Sequence, residues 1–552
     1  MLKYRAKQKG NDFLNGVHMD TIQRAIEKKR HISKYEELNS QTWAEFEKAA
    51  DQKKIFLYGV GACADYYLEN NCQVRLEGVV DNDIRKQDFP LSVFSEEACK
   101  TVNGELKVAS IALLQKYDVD DIVVLIASTN YYEQIIDALK KIGVSNYFVL
   151  LIMEANRRLQ PDCGSNEVKT VTREDYVLSC CREEIQWNKV IFYSFGSYSD
   201  HGKYITEALL ELRKDLDLVW LVKDMTMEVP EGVRKVYFSN WKRYIYEMET
   251  ARIWVFNMVV PSYIIKRPGQ IYIQTKHWAG VTLKKFYLDS ITIQDAQDKV
   301  SNWRYNSEII DYIITGSNFD TESSRRGFGF EKEVWQIGSP RSDALFRRDE
   351  CKRKVYEKYQ IRSDIRTLVY APTYRFEQSG TQYLHESREI DLDYERVIRA
   401  LENRFGGTWN ILIRLHPSVA SEGRKIQKPD CVIDAGSYAD SEELVSACDV
   451  LISDYSSIMF EPAFVRKPVF LFATDKSDYI DKEYDLLIEY DTLPFPAAET
   501  NDELFQKIEQ FDQEEYEQKV ADFLERYGVH EDGHASGRAA VLVSKLLTDE
   551  GK

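Results

Sequence analysis

Along this chain, short apolar runs end in polar or glycine-containing turns and give way to stretches of helical spacing, an alternation that starts at Lys54 and continues to the closing helix. Short runs rich in Val, Ile, Leu and Phe with helices between them predict buried parallel strands, and so an α/β fold. The stretch KIFLYGVGACADYYLENNCQVRLEGVVDND reads as a strand, a turn through Gly59 and Gly61, a helix, and a second strand ending at Asp81. DIVVLIASTNYYEQIIDALKKIG continues the alternation to about residue 150, while residues 1–52 read as mostly helical, with Tyr35, Leu38, Trp43 and Phe46 as candidate buried positions. The polar segment Gln160 to Thr170, which carries Pro and Gly, is the expected linker. Beyond it, strands are expected at 190–193, 218–222, 252–256, 270–274, 312–315 and from Val334, and then at 368–370, 411–415, 450–452 and 469–472. The pattern predicts three segments: a helical stretch plus a Rossmann-like domain over 1–165, then α/β lobes over 166–345 and 346–552.

Composition narrows the function class. At 552 residues there is room for about three domains of roughly 150 residues. The net charge of −17 argues against nucleic acid as a partner, because a phosphate backbone needs a basic footprint. Nine scattered cysteines without a CxxC pair predict reduced thiols of a cytoplasmic protein, and no His/Cys clustering predicts a metal site. The first residues, MLKYRAKQKGNDF, lack the apolar core of a signal peptide, and no apolar run is long enough for a spanning helix.

Candidate chemistry sits at the strand ends. Gly59, Gly61 and Asp81 resemble a dinucleotide fingerprint with Ala64 at the third glycine, which fits a nucleotide site in the first domain or a Rossmann-like domain that only packs or dimerises. His277 follows a strand tip, with Gly280 and the lysines 284 and 285 nearby; it reads either as a catalytic group or as a polar strand cap. Ile411 to Leu415 presents Arg414 and His416, and Pro417 stops that strand. After Val450–Ile452, Ser453 and Asp454 break the strand, and Tyr455, Ser456 and Ser457 are expected to open a helix whose free amides seat a phosphate; Asp454 and Ser456 also suit simple capping. Arg341, read as exposed, Arg375 and Arg414 are candidate phosphate clamps or partners of nearby acids. Glu461 would reach a ribose or face solvent. Lys266 and Arg267 suit either a peripheral membrane contact or an ordinary exposed loop.

Six blocks in order, SFGSYSDHGKYITEAL, IQTKHWAGVTLKK, IGSPRSDALF, VYAPTYR, IRLHPS and ISDYSSIMFEPAFVRKPVFLF, resemble the CDP-glycerol glycerophosphotransferases, the teichoic acid polymerase family. The resemblance covers about residues 190–545 and leaves the first 165 residues outside. It implies a GT-B fold of two Rossmann-like lobes, here preceded by the additional domain. The implied reaction moves a polyol phosphate, glycerol phosphate in the first instance, from a CDP-linked donor to a hydroxyl of a lipid-linked or glycan acceptor, releasing CMP and needing no cofactor. The catalytic histidines it implies are His277, assigned as general base, and His416, on the transferred phosphate or leaving oxygen, with the roles exchangeable. The donor would contact Arg341, Arg375, Arg414, Ser453, Asp454, Ser456, Ser457 and Glu461. The family's usual QTWHGTPLK becomes QTKHWAGVTLKK, with Lys276 at the tryptophan position. Three other readings remain open: transfer of ribitol phosphate, a nucleotide-sugar glycosyltransferase, and a nucleotide-sensing scaffold without turnover. The enzyme would work in the cytoplasm or on the inner face of the membrane.

Overall fold

In the computed structural model, residues 38, 40–71, 75–98, 106–159, 171–291, 297–373, 377–379, 382–384, 392–415, 429–477, 479 and 486–548 are described. They fall into two compact units, one of residues 1–186, 219–251 and 261–269, the other of 187–218, 252–260 and 270–552.

The first unit carries β1 (Lys54–Tyr58), β2 (Leu76–Val80), β3 (Val108–Ala109), β4 (Ile122–Ile126) and β5 (Tyr147–Val149) in the parallel order β3-β2-β1-β4-β5. Every residue of β4, IVVLI, is buried, as a central parallel strand requires. The turn after β1 depends on Gly59: its φ is +104°, and a Cβ there would lie 2.8 Å from the Ala127 carbonyl oxygen. Ahead of β1 the helix Trp43–Ala50 starts with a Thr42/Glu45 capping box and buries Phe46. Residues 219–251 are grouped with this unit. Lys242 pairs with Glu69 at 3.2 Å and with Glu97, and Phe94 meets Tyr237 edge-on at 4.9 Å. The expected linker 160–170 lies outside the described residues.

The second unit holds two parallel systems. One comprises β6 (Gln186–Tyr193), β9 (Ala251–Phe256), β10 (Ile271–Gln274), β11 (Tyr312–Thr315) and β12 (Val334–Gln336), in the order β12-β11-β10-β9-β6 within a seven-stranded sheet whose other members are β7 (Asp217–Val222) and β8 (Val233–Tyr237). The other is six-stranded: β13 (Ile365–Ala371), β16 (Thr408–Ile413), β17 (Val432–Asp434), β18 (Val450–Ser453), β19 (Val469–Phe472) and β20 (Ala497–Ala498), ordered β17-β16-β13-β18-β19-β20. A small antiparallel hairpin, β14 (Glu377–Ser379) with β15 (Gln382–Leu384), lies between β13 and β16 in sequence. Leu368, Ile411, Leu451, Ile452, Phe470 and Leu471 are fully buried in the six-stranded core, each such side chain contributing about 1.5–3 kcal/mol of transfer free energy. Val281 and Leu283, from the loop after β10, join that same core, so the loop carrying His277 is anchored in the other sheet's interior.

Among the described residues, no helix is long and apolar enough to cross a membrane, and the six described cysteines are free thiols. The Arg267 guanidinium, considered as a membrane contact, is instead tied to the backbone carbonyls of Cys181, Glu183 and Glu249.

Candidate active site

Three strand tips of the second unit converge. The tip of β6 runs into Phe195–Asp200, β10 into Lys276–Leu283, and β18 into Asp454–Ser457. Phe195, Asp200 and Lys276 all have positive φ (51°, 62° and 63°), a conformation that non-glycine residues hold only where the surroundings impose it.

His277 is exposed. Its ring meets Phe195 edge-on at 5.2 Å and the buried Trp278 at 5.0 Å, and its backbone carbonyl accepts from Arg341 Nη1 at 2.8 Å. Its neighbour Lys276 is fully buried, donating from Nζ to Asp320 Oδ2 at 2.9 Å, while the Trp278 indole N–H donates to Asp320 Oδ1 at 3.0 Å. One carboxylate thus holds both residues that flank the histidine. Further along the loop, Thr282 Oγ1 lies 3.0 Å from Ser457 Oγ, so the segment that bears His277 touches the serine turn directly.

The serine turn differs from the expected helix start. Tyr455 is buried, stacked on Tyr479 at 3.8 Å, and Ser456 caps a 3₁₀ turn, Ser457–Met459, leading into the five-residue helix Phe460–Phe464. The helix ends where Arg466 takes a left-handed φ of 59° and the Lys467 amide turns back to the Pro462 carbonyl at 3.0 Å. Ser456 Oγ accepts from the Ile458 amide at 3.4 Å, the capping role. Ser453 is buried and donates to the Ala371 carbonyl, and Asp454 accepts from the Thr373 amide at 2.7 Å and from its hydroxyl, bracing the tips of β18 and β13 together.

Arg341, expected as an exposed phosphate clamp, is 7% exposed and wrapped in carboxylates. Nη1 donates to Asp200 Oδ1 at 2.9 Å, and Nη2 pairs with Glu442 and, at 2.9 Å, with Glu461 Oε1. Glu461, expected at a ribose or on a solvated face, is buried in this pairing. Arg414 is likewise committed, to the carbonyls of Ala435, Gly436 and Tyr438. Two of the proposed clamps are therefore already engaged, because a buried guanidinium must fill its donors. Arg375 and His416 lie outside the described residues. In the first unit, the Val60 amide of the glycine turn donates to Asp81 Oδ2 at 2.9 Å, and Lys86 Nζ bonds the Val60 carbonyl at 2.7 Å and Asp81 at 3.2 Å. The turn amide and the strand-end acid of the nucleotide fingerprint thus bind each other.

Several buried charges escaped the sequence reading. Asp200 also accepts from the His201 amide and from Asn257 Nδ2, and His201 Nε2 faces the Trp278 carbonyl at 3.0 Å, which makes Nε2 the protonated nitrogen. Burial, with the charges of Arg341 and Lys276 and against that of Asp200, pushes His201 down to about 3, so it stays neutral. Lys203 pairs with Asp440 at 2.5 Å and with Glu443 at 2.9 Å. The signal was present in SYSDHGKY, whose Asp200, His201 and Lys203 look like a solvated helix face by periodicity and are buried in fact.

The cluster around Arg341 makes stability depend on pH. Burial pushes the Glu461 carboxyl up to about 7, with Arg341 opposing, and pushes Glu442 well above its usual range. Burial likewise raises Glu531, bonded to the Ser339 amide, to about 8. These acids hold a proton more tightly folded than unfolded, so their stabilisation is complete below about pH 4.5 and is lost as pH rises through 7 to 8. His201 has the opposite sign but acts only below about 6.5, where the unfolded imidazole gains its proton. The urea midpoint is therefore expected to fall between about pH 6.5 and 8, and Glu461→Gln should flatten that slope. A wild-type midpoint that climbs over the same interval contradicts the assignment.

Residues 175–545 match the family model described as CDP-Glycerol:Poly(glycerophosphate) glycerophosphotransferase. A teichoic acid poly(glycerol phosphate) polymerase of Staphylococcus epidermidis is 29% identical over 397 residues, 69% of this chain and 54% of that one. A teichoic acid poly(ribitol-phosphate) polymerase of Bacillus spizizenii is 28% identical over 366 residues, 64% of this chain and 56% of that one. The chain thus spans about half the length of these relatives. A solved structure of the wall teichoic acid polymerase TagF, a histidine variant soaked with CDPG, is 27% identical, with a TM-score of 0.61 over 69% of this chain and 95% of that one. The two lobes of the second unit therefore have the GT-B-like arrangement of Rossmann-like sheets that the sequence led us to expect.

Proposed function

Since the chain belongs to the CDP-Glycerol:Poly(glycerophosphate) glycerophosphotransferase family, we propose that it transfers a polyol phosphate from a CDP-linked donor to an acceptor hydroxyl and releases CMP, in assembly of a teichoic-acid-like polymer. Glycerol phosphate is the proposed unit. The observation that carries this reading is the contact of Thr282 with Ser457 at 3.0 Å, which brings the loop of an exposed imidazole onto the turn proposed to hold the diphosphate. Phosphoryl transfer needs an aligned hydroxyl, a base for its proton, and positive charge or amide donors on the phosphate oxygens. His277 suits the base, since a neutral imidazole takes a proton near neutral pH. The Ser456–Ser457 turn, with its amides and hydroxyls, suits the diphosphate oxygens. His416 and Arg375, carried over from the family blocks, are proposed for the donor side. No step calls on a metal or cofactor. The acceptor is proposed to be lipid-linked, which places the enzyme at the inner face of the membrane, and the first unit is proposed as a packing domain.

A donor panel tests the reading. Incubation with CDP-glycerol, CDP-ribitol, UDP-sugars and GDP-sugars, with a lipid-linked glycerol-phosphate primer, is expected to give CMP from CDP-glycerol, with the product gaining glycerol-phosphate mass units. Release of UDP or GDP would instead favour a glycosyltransferase, and turnover of CDP-ribitol alone would change the transferred unit. Tight nucleotide binding without any turnover would favour the scaffold.

A further inference from the structure

The guanidinium of Arg341 joins segments that are far apart in sequence. Nη1 bonds the Asp200 carboxylate, 141 residues away, and the His277 carbonyl, 64 residues away, while Nη2 bonds Glu442 and Glu461. The two acids on Nη2 come from the helices Ser441–Ala447 and Phe460–Phe464 of the six-stranded lobe; the two groups on Nη1 come from the tips of β6 and β10. Among the described residues, the buried Nε has no partner. A planar fork with fixed donor directions locks the relative position of everything it touches.

Two features make this arrangement a support for His277 and a poor seat for phosphate. The backbone before His277 is in the left-handed region at Lys276, so the loop needs outside ties to keep its shape. It has them on both sides: Lys276 and Trp278 bind Asp320, and the His277 carbonyl binds Arg341. Moreover, both Nη nitrogens already donate to Asp200, the His277 carbonyl, Glu442 and Glu461, so a diphosphate brought to the guanidinium would have to displace one of them. We propose that Arg341 is a positioning residue, which fixes the His277 main chain against the six-stranded lobe through Glu461 and Glu442 and does not bind the donor. The inference rests on the reading of His277 as the base.

The test is steady-state kinetics of the full chain with CDP-glycerol and a lipid-linked glycerol-phosphate primer. Arg341→Lys, which keeps the charge but loses the fork, is expected to lower kcat about 30- to 300-fold with KM for CDP-glycerol changed less than about twofold. Added to His277→Gln, it should lower the rate no further than His277→Gln does alone, because both changes act through one imidazole. A KM raised about tenfold or more with kcat preserved would make Arg341 a donor ligand and overturn the proposal. Should Arg341→Lys fail to fold, Glu461→Gln decides: a kcat loss of about 3- to 30-fold at constant KM supports the proposal, and wild-type kinetics overturn it. If His277→Gln is inactive while Arg341→Lys works at the wild-type rate, only this inference falls. If His277→Gln itself works at the wild-type rate, the base assignment falls and takes this one with it.

Discussion

Replacing His277 with glutamine is expected to slow CMP release from CDP-glycerol by about 10²- to 10⁴-fold, the usual worth of a positioned general base, with KM for the donor nearly unchanged. Glutamine keeps a polar side chain of similar reach, and the ties that hold the loop are made by the His277 carbonyl and by Lys276 and Trp278, so the fold should survive. The imidazole faces solvent beside Phe195, within reach of an incoming acceptor. The loss should appear equally in kcat and kcat/KM, because a base acts in the transition state more than in binding. If His277→Gln retains more than about a tenth of the wild-type rate with an intact unfolding transition, the base lies elsewhere, and His416 becomes the next position to change.

A stability change of comparable weight is expected at Asp320. Lys276 and Asp320 are 1% and 0% exposed as side chains and pair at 2.9 Å, with the Trp278 indole and the Gly316 amide as further donors to the same carboxylate. Asp320→Ala would leave a buried ammonium without its counter-charge and the neutral donors of Trp278, Gly316 and Ser324 without their acceptor, at a cost of about 3–5 kcal/mol. Replacing both members, Lys276→Met with Asp320→Leu, should recover much of that loss, since a buried ion pair adds little over well-packed apolar groups. Urea unfolding of the three proteins measures it, and a single variant within about 1 kcal/mol of wild type would mean that the pair is hydrated in solution. The same geometry accounts for the departure from the family's QTWHGTPLK. Lysine stands where tryptophan is usual, but it is buried on an acid that also accepts from Trp278, so the loop keeps a packed aromatic and a filled hydrogen-bond set.

The strands that carry the site were legible because a buried parallel strand writes itself locally, as an apolar run closed by a turn. Ile411–Leu415, Val450–Ile452 and Val469–Phe472 were expected within three residues of the ends of β16, β18 and β19. His277 was legible too, as a polar residue just beyond such a run. The helix expected to open at Tyr455–Ser457 begins instead as a 3₁₀ turn, Ser457–Met459, ahead of the helix Phe460–Phe464, because free amides after a strand look alike in sequence whichever helical turn they start.

What the chain alone determined is the local part: two parallel α/β lobes, a further one ahead of them, and histidine, serine and aspartate at strand tips, all set by periodicity over a few residues. What only the tertiary structure decided is which charges meet. Arg341 looks like a free cation in GSPRSDALF and becomes the hub of Asp200, Glu442 and Glu461. Ion pairing and burial depend on partners as much as 240 residues apart, and no local pattern carries that information, because a carboxylate reads the same in sequence whether water or a cation will surround it.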